Sequence, residues 1–207
     1  LEHPVPSGRS ESILSVPPMA IDTSDFKTGM AIYLDGEVYK IVEFQHVKPG
    51  KGGAFVRTKL KKIKTGQTIE KTFRAGERFD PARVEQKPMQ YLYRAGDSAT
   101  CMNLEDYDQA DYPIDMFGSG SKYLMEGMNV SATTIDGTVV GLEVPTFVEM
   151  KVAETDPAFK GDTVSGGTKP ATLESGAVVA VPFHIGVGDV VKVDTRTDAY
   201  LERVSSA

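Results

Sequence analysis

Residues 31–63 read AIYLDGEVYKIVEFQHVKPGKGGAFVRTKLKKI and predict two consecutive β-hairpins. The first hairpin turns at Asp35-Gly36, a pair suited to the positive φ angles of a tight turn. Its second arm runs on into the next hairpin, which has arms at 39–47 and 54–63 and a loop at 48–53. Another strand is expected at 68–73. Short strands joined by tight turns predict a small SH3-like barrel over residues 19–82.

The rest of the chain predicts two further small barrels. Short alternating or β-branched runs recur, and no window keeps the helical spacing of apolar residues over three turns. Five or so strands in about 60 residues suit an OB-type barrel, so we expect one OB barrel at 83–145 and another at 146–207. Residues 106–122 are acidic and are expected to be irregular with a short helix. The predicted fold class is therefore all-β, with three small barrels.

The predicted strands of the two OB barrels follow from the same alternation. They are 89–93, 98–103, 129–135 and 138–144 in the second module, then 146–154, 177–183 and 190–194 in the third. Residues 1–18 are rich in Ser and Pro and lack apolar periodicity, which predicts a disordered extension or a cloning remnant.

The charge of the chain is unevenly distributed. The formal net charge is −6 over 207 residues. Residues 19–81 carry 12 Lys and Arg against 8 Asp and Glu, whereas residues 82–144 carry 4 against 10. A basic segment within an acidic protein is typical of a surface that meets phosphates, although a solvated strand face gives the same signal.

The composition argues against several classes of protein. The single cysteine, Cys101, cannot form an internal disulfide, and neither a secretion signal nor an apolar run of roughly 20 residues occurs. We therefore expect a cytoplasmic protein without a membrane partner. Cys101 and His184 lack neighbours at metal-ligand spacing, so no metal and no cofactor are predicted. No nucleophile motif occurs, and no catalytic residue or enzyme activity is predicted.

The loop at 48–53 is the most informative stretch. Three glycines and one proline surround Lys51, so the backbone can approach another molecule closely while the lysine side chain projects. A P-loop needs a Gly-Lys-Ser/Thr ending and a following helix, which are absent here. A cationic lysine at a hairpin tip can hold phosphate or ribose oxygens, with phosphate contacts from Lys48, Arg57, Lys59, Lys61, Lys62 and Lys64. An ordinary flexible hairpin tip is the open alternative.

Two regions carry a resemblance to a known family. Residues 44–57, FQHVKPGKGGAFVR, resemble the lysine loop of elongation factor P. The last module agrees through Glu154-Thr155-Asp156-Pro157, Lys160-Gly161-Asp162-Thr163, the run 166–173 and the run 188–197. The resemblance covers residues 19–204. Two positions depart from it: Asp198 stands where the family usually has Gly, and His184 interrupts a usually apolar run.

The resemblance implies a translation elongation factor whose three barrels form an L. It would bind the 70S ribosome and its rRNA beside the P-site peptidyl-tRNA, stimulate peptide-bond formation, and relieve stalling at consecutive prolines through Lys51. The loop residues that support this lysine are Lys48, Pro49, Gly50, Gly52 and Gly53. The implied tRNA and rRNA contacts are His46, Arg57, Lys59 and Lys61. The implied small-subunit or message contacts are Gly161, Asp162, Thr163, Gly166, Gly167, Tyr200 and Arg203.

The resemblance also implies that Lys51 is a substrate for a lysine-modifying enzyme, such as a β-lysyl transferase. The sequence leaves the presence and kind of modification open. A monomer is expected. Two other interpretations stay in view: a general single-stranded RNA-binding protein of OB modules, without a role at the peptidyl-transferase centre, and the two-domain relative initiation factor five-A. The third predicted barrel argues against the latter.

Overall fold

The computed structural model describes residues 19–157 and 167–207, and the regular elements of this part of the chain are strands apart from one 3-10 segment. The all-β prediction is confirmed. The predicted extension at 1–18 and most of the loop at 161–167 lie outside the described residues. The first strands are β1 (Ile21–Asp22), β2 (Ala31–Leu34), β3 (Glu37–Val47), β4 (Phe55–Lys62), β5 (Thr68–Arg74), β6 (Arg78–Phe79) and β7 (Pro81–Ala82).

The remaining elements follow in chain order. They are β8 (Val84–Ala95), β9 (Ser98–Asn103), β10 (Gln109–Pro113), the 3-10 segment η1 (Ile114–Tyr123), β11 (Asn129–Ile135), β12 (Thr138–Glu143), β13 (Phe147–Thr155), β14 (Thr168–Leu173), β15 (Val178–Pro182), β16 (Val190–Asp194) and β17 (Ala199–Ser205).

The chain divides into two compact units between Ala82 and Arg83. The first unit contains a five-stranded sheet in the order β5-β4-β3-β2-β7 and the small β1-β6 pair. The buried face of its sheet carries Ile32, Ile41, Val56 and Leu60, which pack against a cluster of phenylalanines. Alternation of these residues with exposed polar ones is the period that a half-buried strand requires.

The second unit contains two sheets with separate cores. One sheet has the order β10-β9-β8-β11-β12, and the other is a closed barrel in the order β13-β14-β15-β17-β16. The first core includes Met89, Tyr91 and Phe117, and the second includes Met150, Val152 and Val181. Strand pairing is antiparallel except between β15 and β17, which meet in parallel at Ala180 and Ala199.

Beyond the two-residue strands β1, β6 and β7, which the sequence does not predict, three strands differ from the sequence-based prediction. Residues 109–113 form β10 within the stretch predicted to be irregular, while the short helix predicted there is present as η1. The strands β14 and β17 were not predicted. Most side chains of β10 and β17 are exposed, so these strands lack the alternation of apolar and polar residues that reveals a half-buried strand.

Candidate nucleic-acid interface

The lysine loop lies at the end of the β3–β4 hairpin. Val47 and Phe55 form the last cross-strand pair, and every residue from 48 to 54 is exposed. The base of the loop is tied to the chain immediately after β5, because the amide of Ala75 donates a hydrogen bond of 3.0 Å to the Ala54 carbonyl. The sequence therefore folds into an exposed tip on an ordered three-stranded base.

Glycine is required at one position of this tip. Gly52 has a φ of +110°, a region that residues with a Cβ rarely adopt. Gly50 and Gly53 face open space, so a Cβ at either position would meet nothing within 4 Å. These two glycines keep the surroundings of Lys51 free of side chains, while Gly52 allows the chain to turn.

Lys51 is exposed and forms no hydrogen bond or ion pair with any other residue of the described chain. A lysine ammonium has three donors and no acceptor. All three donors of Lys51 are therefore available to an external acceptor such as a phosphate or a ribose oxygen. The geometry suits contact with another molecule, and residues 19–157 and 167–207 offer no neighbour that could activate this lysine as a base or a nucleophile.

A buried threonine fixes the turn that adjoins the loop base. Thr23 is 1% exposed. Its hydroxyl accepts a hydrogen bond of 2.9 Å from the Gly76 amide, and its own amide donates to the Glu77 carbonyl at 3.1 Å. The turn at 74–77 follows β5, whose last residue pairs with Phe55. The base of the lysine loop is therefore held from two sides.

Three of the predicted RNA contacts share one exposed face of β4. Arg57, Lys59 and Lys61 alternate with buried residues along the strand. Arg57 lies across from Gln45 and Thr72, both uncharged, and Lys61 lies across from Lys40 and Thr68. Lys59 lies between Glu43 and Glu70. The positive charge of this face is therefore concentrated at its two ends.

The wider basic cluster suggested by the sequence is divided in the structure. Lys62 and Lys64 both pair with Glu37, at 3.1 and 3.9 Å, and are thereby partly neutralised. Lys40 and Arg74, which sequence reasoning did not single out, lie on the same exposed face as Arg57 by register. Lys40 and Arg74 are identified by their cross-strand partners, and these partners are known only once the register of the sheet is known.

His46 lies on the opposite face of the hairpin from Arg57. It pairs with Val56, and its ring is perpendicular to the ring of Phe44 with centroids 5.7 Å apart. Phe44 in turn packs edge-on against Phe26. His46 therefore lies on the other face from Arg57, Lys59 and Lys61, although the resemblance implies that all four contact RNA.

Of the contacts predicted in the third module, Gly161, Asp162, Thr163 and Gly166 lie outside the described residues. Gly167 is described, and a Cβ there would overlap the ring of Phe183. Tyr200 packs against the barrel core. Arg203 forms an ion pair of 3.5 Å with Asp189. Both side chains thus have contacts within the barrel.

Asp189 is held by several donors. Its carboxylate accepts hydrogen bonds from the amides of Gly186, at 2.9 Å, and Ala207, at 3.0 Å. These amide bonds, together with the nearby guanidinium of Arg203, lower the pKa of Asp189 below its ordinary value. The carboxylate ties the loop before β16 to the end of the described chain.

The chemistry of the second module gives no support to a redox or metal site. Cys101 is fully buried, and burial raises the pKa of its thiol to about 11, which disfavours the reactive thiolate. Within residues 19–157 and 167–207, no group of three His, Cys, Asp or Glu side chains is placed to hold a metal ion. No helix of the described chain has the length and apolarity needed to cross a membrane.

Small β-modules of SH3-like and OB type that present a basic hairpin are typical of proteins that bind nucleic acids. Family comparisons refine this class. Residues 22–79 match the elongation factor P KOW-like domain, residues 84–142 match its OB domain, and residues 148–203 match its C-terminal domain. The chain belongs to the elongation factor P family.

Curated relatives agree along nearly their whole length. Elongation factor P of Pelotomaculum thermopropionicum is 54% identical over 184 residues, which is 89% of this chain and 100% of the relative. The protein of Carboxydothermus hydrogenoformans is 53% identical with the same coverage, and that of Synechocystis is 51% identical over 88% of this chain and 98% of the relative. The family assignment confirms the resemblance drawn from the lysine loop and the third module.

Two solved structures resemble part of the fold. Eukaryotic translation initiation factor 5A from Methanococcus jannaschii has a TM-score of 0.46 at 23% identity and covers 64% of this chain and 98% of that chain. A translation initiation factor eIF-5A family protein from Naegleria fowleri has a TM-score of 0.49 at 19% identity, covering 61% of this chain and 94% of that chain.

Proposed function

We propose that this translation factor binds the ribosome beside the P-site peptidyl-tRNA and uses Lys51 to promote peptide-bond formation at consecutive prolines. The observation that carries the proposal is the state of Lys51. It is an exposed cation on a glycine-lined tip, without a partner among the described residues, at the end of a hairpin with further unpaired cations. Such a side chain is suited to external anionic or hydroxyl oxygens.

The proposed mechanism is positional. Proline is a poor acceptor of the peptidyl group, and an unproductive placement of the peptidyl-tRNA adds an entropic barrier to the reaction. A cation that holds phosphate or ribose oxygens at the tRNA end reduces this freedom without entering the bond-making step. Lys51 therefore acts as a hydrogen-bond donor that orients the RNA, and the ribosome carries out the chemistry.

The exposed face of β4 supplies the docking contacts in this proposal. Arg57 and Lys61 have no carboxylate directly across from them, so they keep their charge available for phosphates. Lys48 is a second exposed lysine within the loop and is not one of these docking contacts. These contacts hold the hairpin in place so that the tip reaches one fixed position.

A modified Lys51 fits the same mechanism. Exposure of the whole stretch 48–54 gives a modifying enzyme access to the ammonium group. A lysyl-type extension adds length and at least one further donor, and both increase the reach of the tip. We propose a lysine-modifying enzyme of this type as a partner, and the cytoplasm as the compartment in which the modification and translation occur.

A reconstituted translation assay tests the proposal with Lys51→Ala. The message encodes either three consecutive prolines or a proline-free control of the same length. Lys48→Ala is the matched control, because it removes a lysine from the same exposed loop and leaves Lys51 in place. We expect Lys51→Ala to abolish the stimulation of peptide-bond formation at the three consecutive prolines. Ribosome binding should largely survive.

The alternative function, general single-stranded RNA binding, predicts a different result. In that case Lys51→Ala and Lys48→Ala lower RNA affinity by similar modest factors, and neither variant has a proline-specific defect. This outcome would overturn the proposed function and favour the alternative.

A further inference from the structure

The 3-10 segment η1 contributes side chains to both cores of the second unit. Phe117 is 5% exposed and belongs to the core under β8, β9 and β11. Tyr123, six residues later, is fully buried in the core of the closed barrel. Met128 packs against both cores. The stretch from Phe117 to Met128 is therefore shared by two sheets whose cores are otherwise separate.

The segment also lies close to the connection between the two sheets. A Cβ at Gly120 would be only 2.9 Å from a methyl carbon of Val144, which follows β12. Real Cβ atoms do not come so close to a neighbouring carbon, so glycine permits this approach. The position of η1 is therefore fixed at Gly120 as well as at Phe117 and Tyr123.

Asp198 holds the end of this segment from the barrel side. It lies in the turn between β16 and β17 with a φ of +58°. Its two carboxylate oxygens have different partners: the Tyr123 hydroxyl donates to one at 2.7 Å, and the Lys122 ammonium donates to the other at 2.6 Å. The contacts join residues 75 and 76 positions apart in the sequence.

We propose that Lys122, Tyr123 and Asp198 form a latch that makes the β8–β12 module and the closed barrel unfold as one cooperative unit. The hydrogen bond from the Tyr123 hydroxyl contributes more to the latch than the ion pair does, because a buried hydroxyl without its acceptor keeps the full cost of desolvation. The lysine ion pair adds less, since its side chains are 36% and 43% exposed and surface ion pairs contribute little. This latch goes beyond the proposed function and does not depend on it.

Glycine is the informative substitution at position 198. Asp198→Gly relieves the positive φ and removes both bonds of the latch, so any loosening must come from the lost carboxylate. Asp198→Asn keeps the shape of the side chain and removes its charge. Tyr123→Phe keeps the ring in the barrel core and removes only the hydroxyl.

Asp35→Gly is the matched control. Asp35 also lies at a positive φ, of +51°, and also pairs with a lysine, Lys71, at 3.1 Å. Its partner is in the sheet of the first unit, so this variant loses an equivalent aspartate without touching the latch. We expect it to leave the opening of residues 83–207 unchanged.

Native-state hydrogen exchange of the full chain tests the latch. In the unsubstituted protein, the slowest amides of β11 and β16 should share one opening constant, as amides of one cooperative unit do. In Asp198→Gly these two opening constants should separate by about tenfold or more. If Asp198→Gly does not fold, Asp198→Asn and Tyr123→Phe are judged by the same criterion.

Two results would overturn the latch. One is a pair of opening constants that stay matched in the substituted proteins. The other is a pair that already differs by this factor in the unsubstituted protein. Neither readout involves translation, so a failure here is distinct from a failure of the proposed function.

Discussion

Lys59 lies directly across from Glu70 on the exposed face of the three-stranded hairpin sheet. Glu43 is its neighbour on the other side, so a carboxylate flanks this lysine on both strands. Arg57 is two residues away on the same face and has only the uncharged Gln45 and Thr72 as direct neighbours. Both side chains are exposed and alternate with buried residues along β4, but their electrostatic surroundings differ.

Arg57→Ala should therefore weaken RNA-dependent ribosome binding more than Lys59→Ala. A phosphate contact by Arg57 releases counterions, so its loss should also reduce the slope of log affinity against log salt by about 1. Binding titrations at three salt concentrations measure both effects. Equal effects of the two substitutions would contradict this charge assignment.

Glu70→Gln should raise the affinity for RNA in the same titration. The substitution removes a negative charge beside Lys59 and keeps the size of the side chain, so the local potential becomes more positive. Lys59→Ala in the Glu70→Gln background should then cost more than it does alone. An unchanged or lower affinity of Glu70→Gln would show that this face does not meet phosphate.

Gly120→Ala should destabilise the second unit by about 1–3 kcal/mol, because the added methyl group meets Val144 in a close-packed site. Gly141→Ala is the matched control, since a Cβ at Gly141 meets nothing within 4 Å and the residue has no positive φ. The control should change the free energy of unfolding by less than about 1 kcal/mol. Urea unfolding measures both, and equal losses would refute the close approach.

Stability in acid should reveal Asp189. Its pKa in the folded protein is lowered from 3.8 by the amides of Gly186 and Ala207 and by Arg203, so the unfolded chain binds the proton more readily. The stabilisation is therefore complete above the unfolded value and is lost as the pH falls through the lower folded value.

The test compares the unsubstituted protein with Asp189→Asn between pH 6 and pH 2.5 by thermal unfolding. Asp189→Asn should be less stable at pH 6, and the difference between the two proteins should shrink as the pH falls below 3.8. Other carboxylates contribute equally to both proteins and cancel in the difference. A gap that is constant with pH would mean that the charge of Asp189 does not stabilise the barrel.

The sequence predicts most strands that have a buried face and a recognisable turn. Asp35-Gly36 and Asp136-Gly137 both form turns with positive φ, and the hairpins around them agree closely with the prediction. The strands β10 and β17 were missed because their side chains are mostly exposed, so hydrogen bonding alone defines them. Pattern reasoning detects burial, and it has no access to the hydrogen bonds that pair strands with exposed side chains.

The candidate site was predictable to a similar extent. Lys51 and its glycines could be singled out because composition alone distinguishes the loop. The division of the basic cluster could not, because Lys62 and Lys64 are paired with Glu37 across strands whose register the sequence does not show. The opposite placement of His46 and Arg57 follows from strand alternation once the register is known. The role of Asp198 depends on contacts with residues more than 70 positions away.

The rate of Pro-Pro-Pro synthesis by reconstituted ribosomes, with Lys51→Ala compared with Lys48→Ala, measures the central claim most directly. The proposed positional role of Lys51 predicts that the first variant fails to stimulate this synthesis, although it binds ribosomes, and that the second retains most of the stimulation. Equal stimulation by Lys51→Ala and the unsubstituted protein would contradict it.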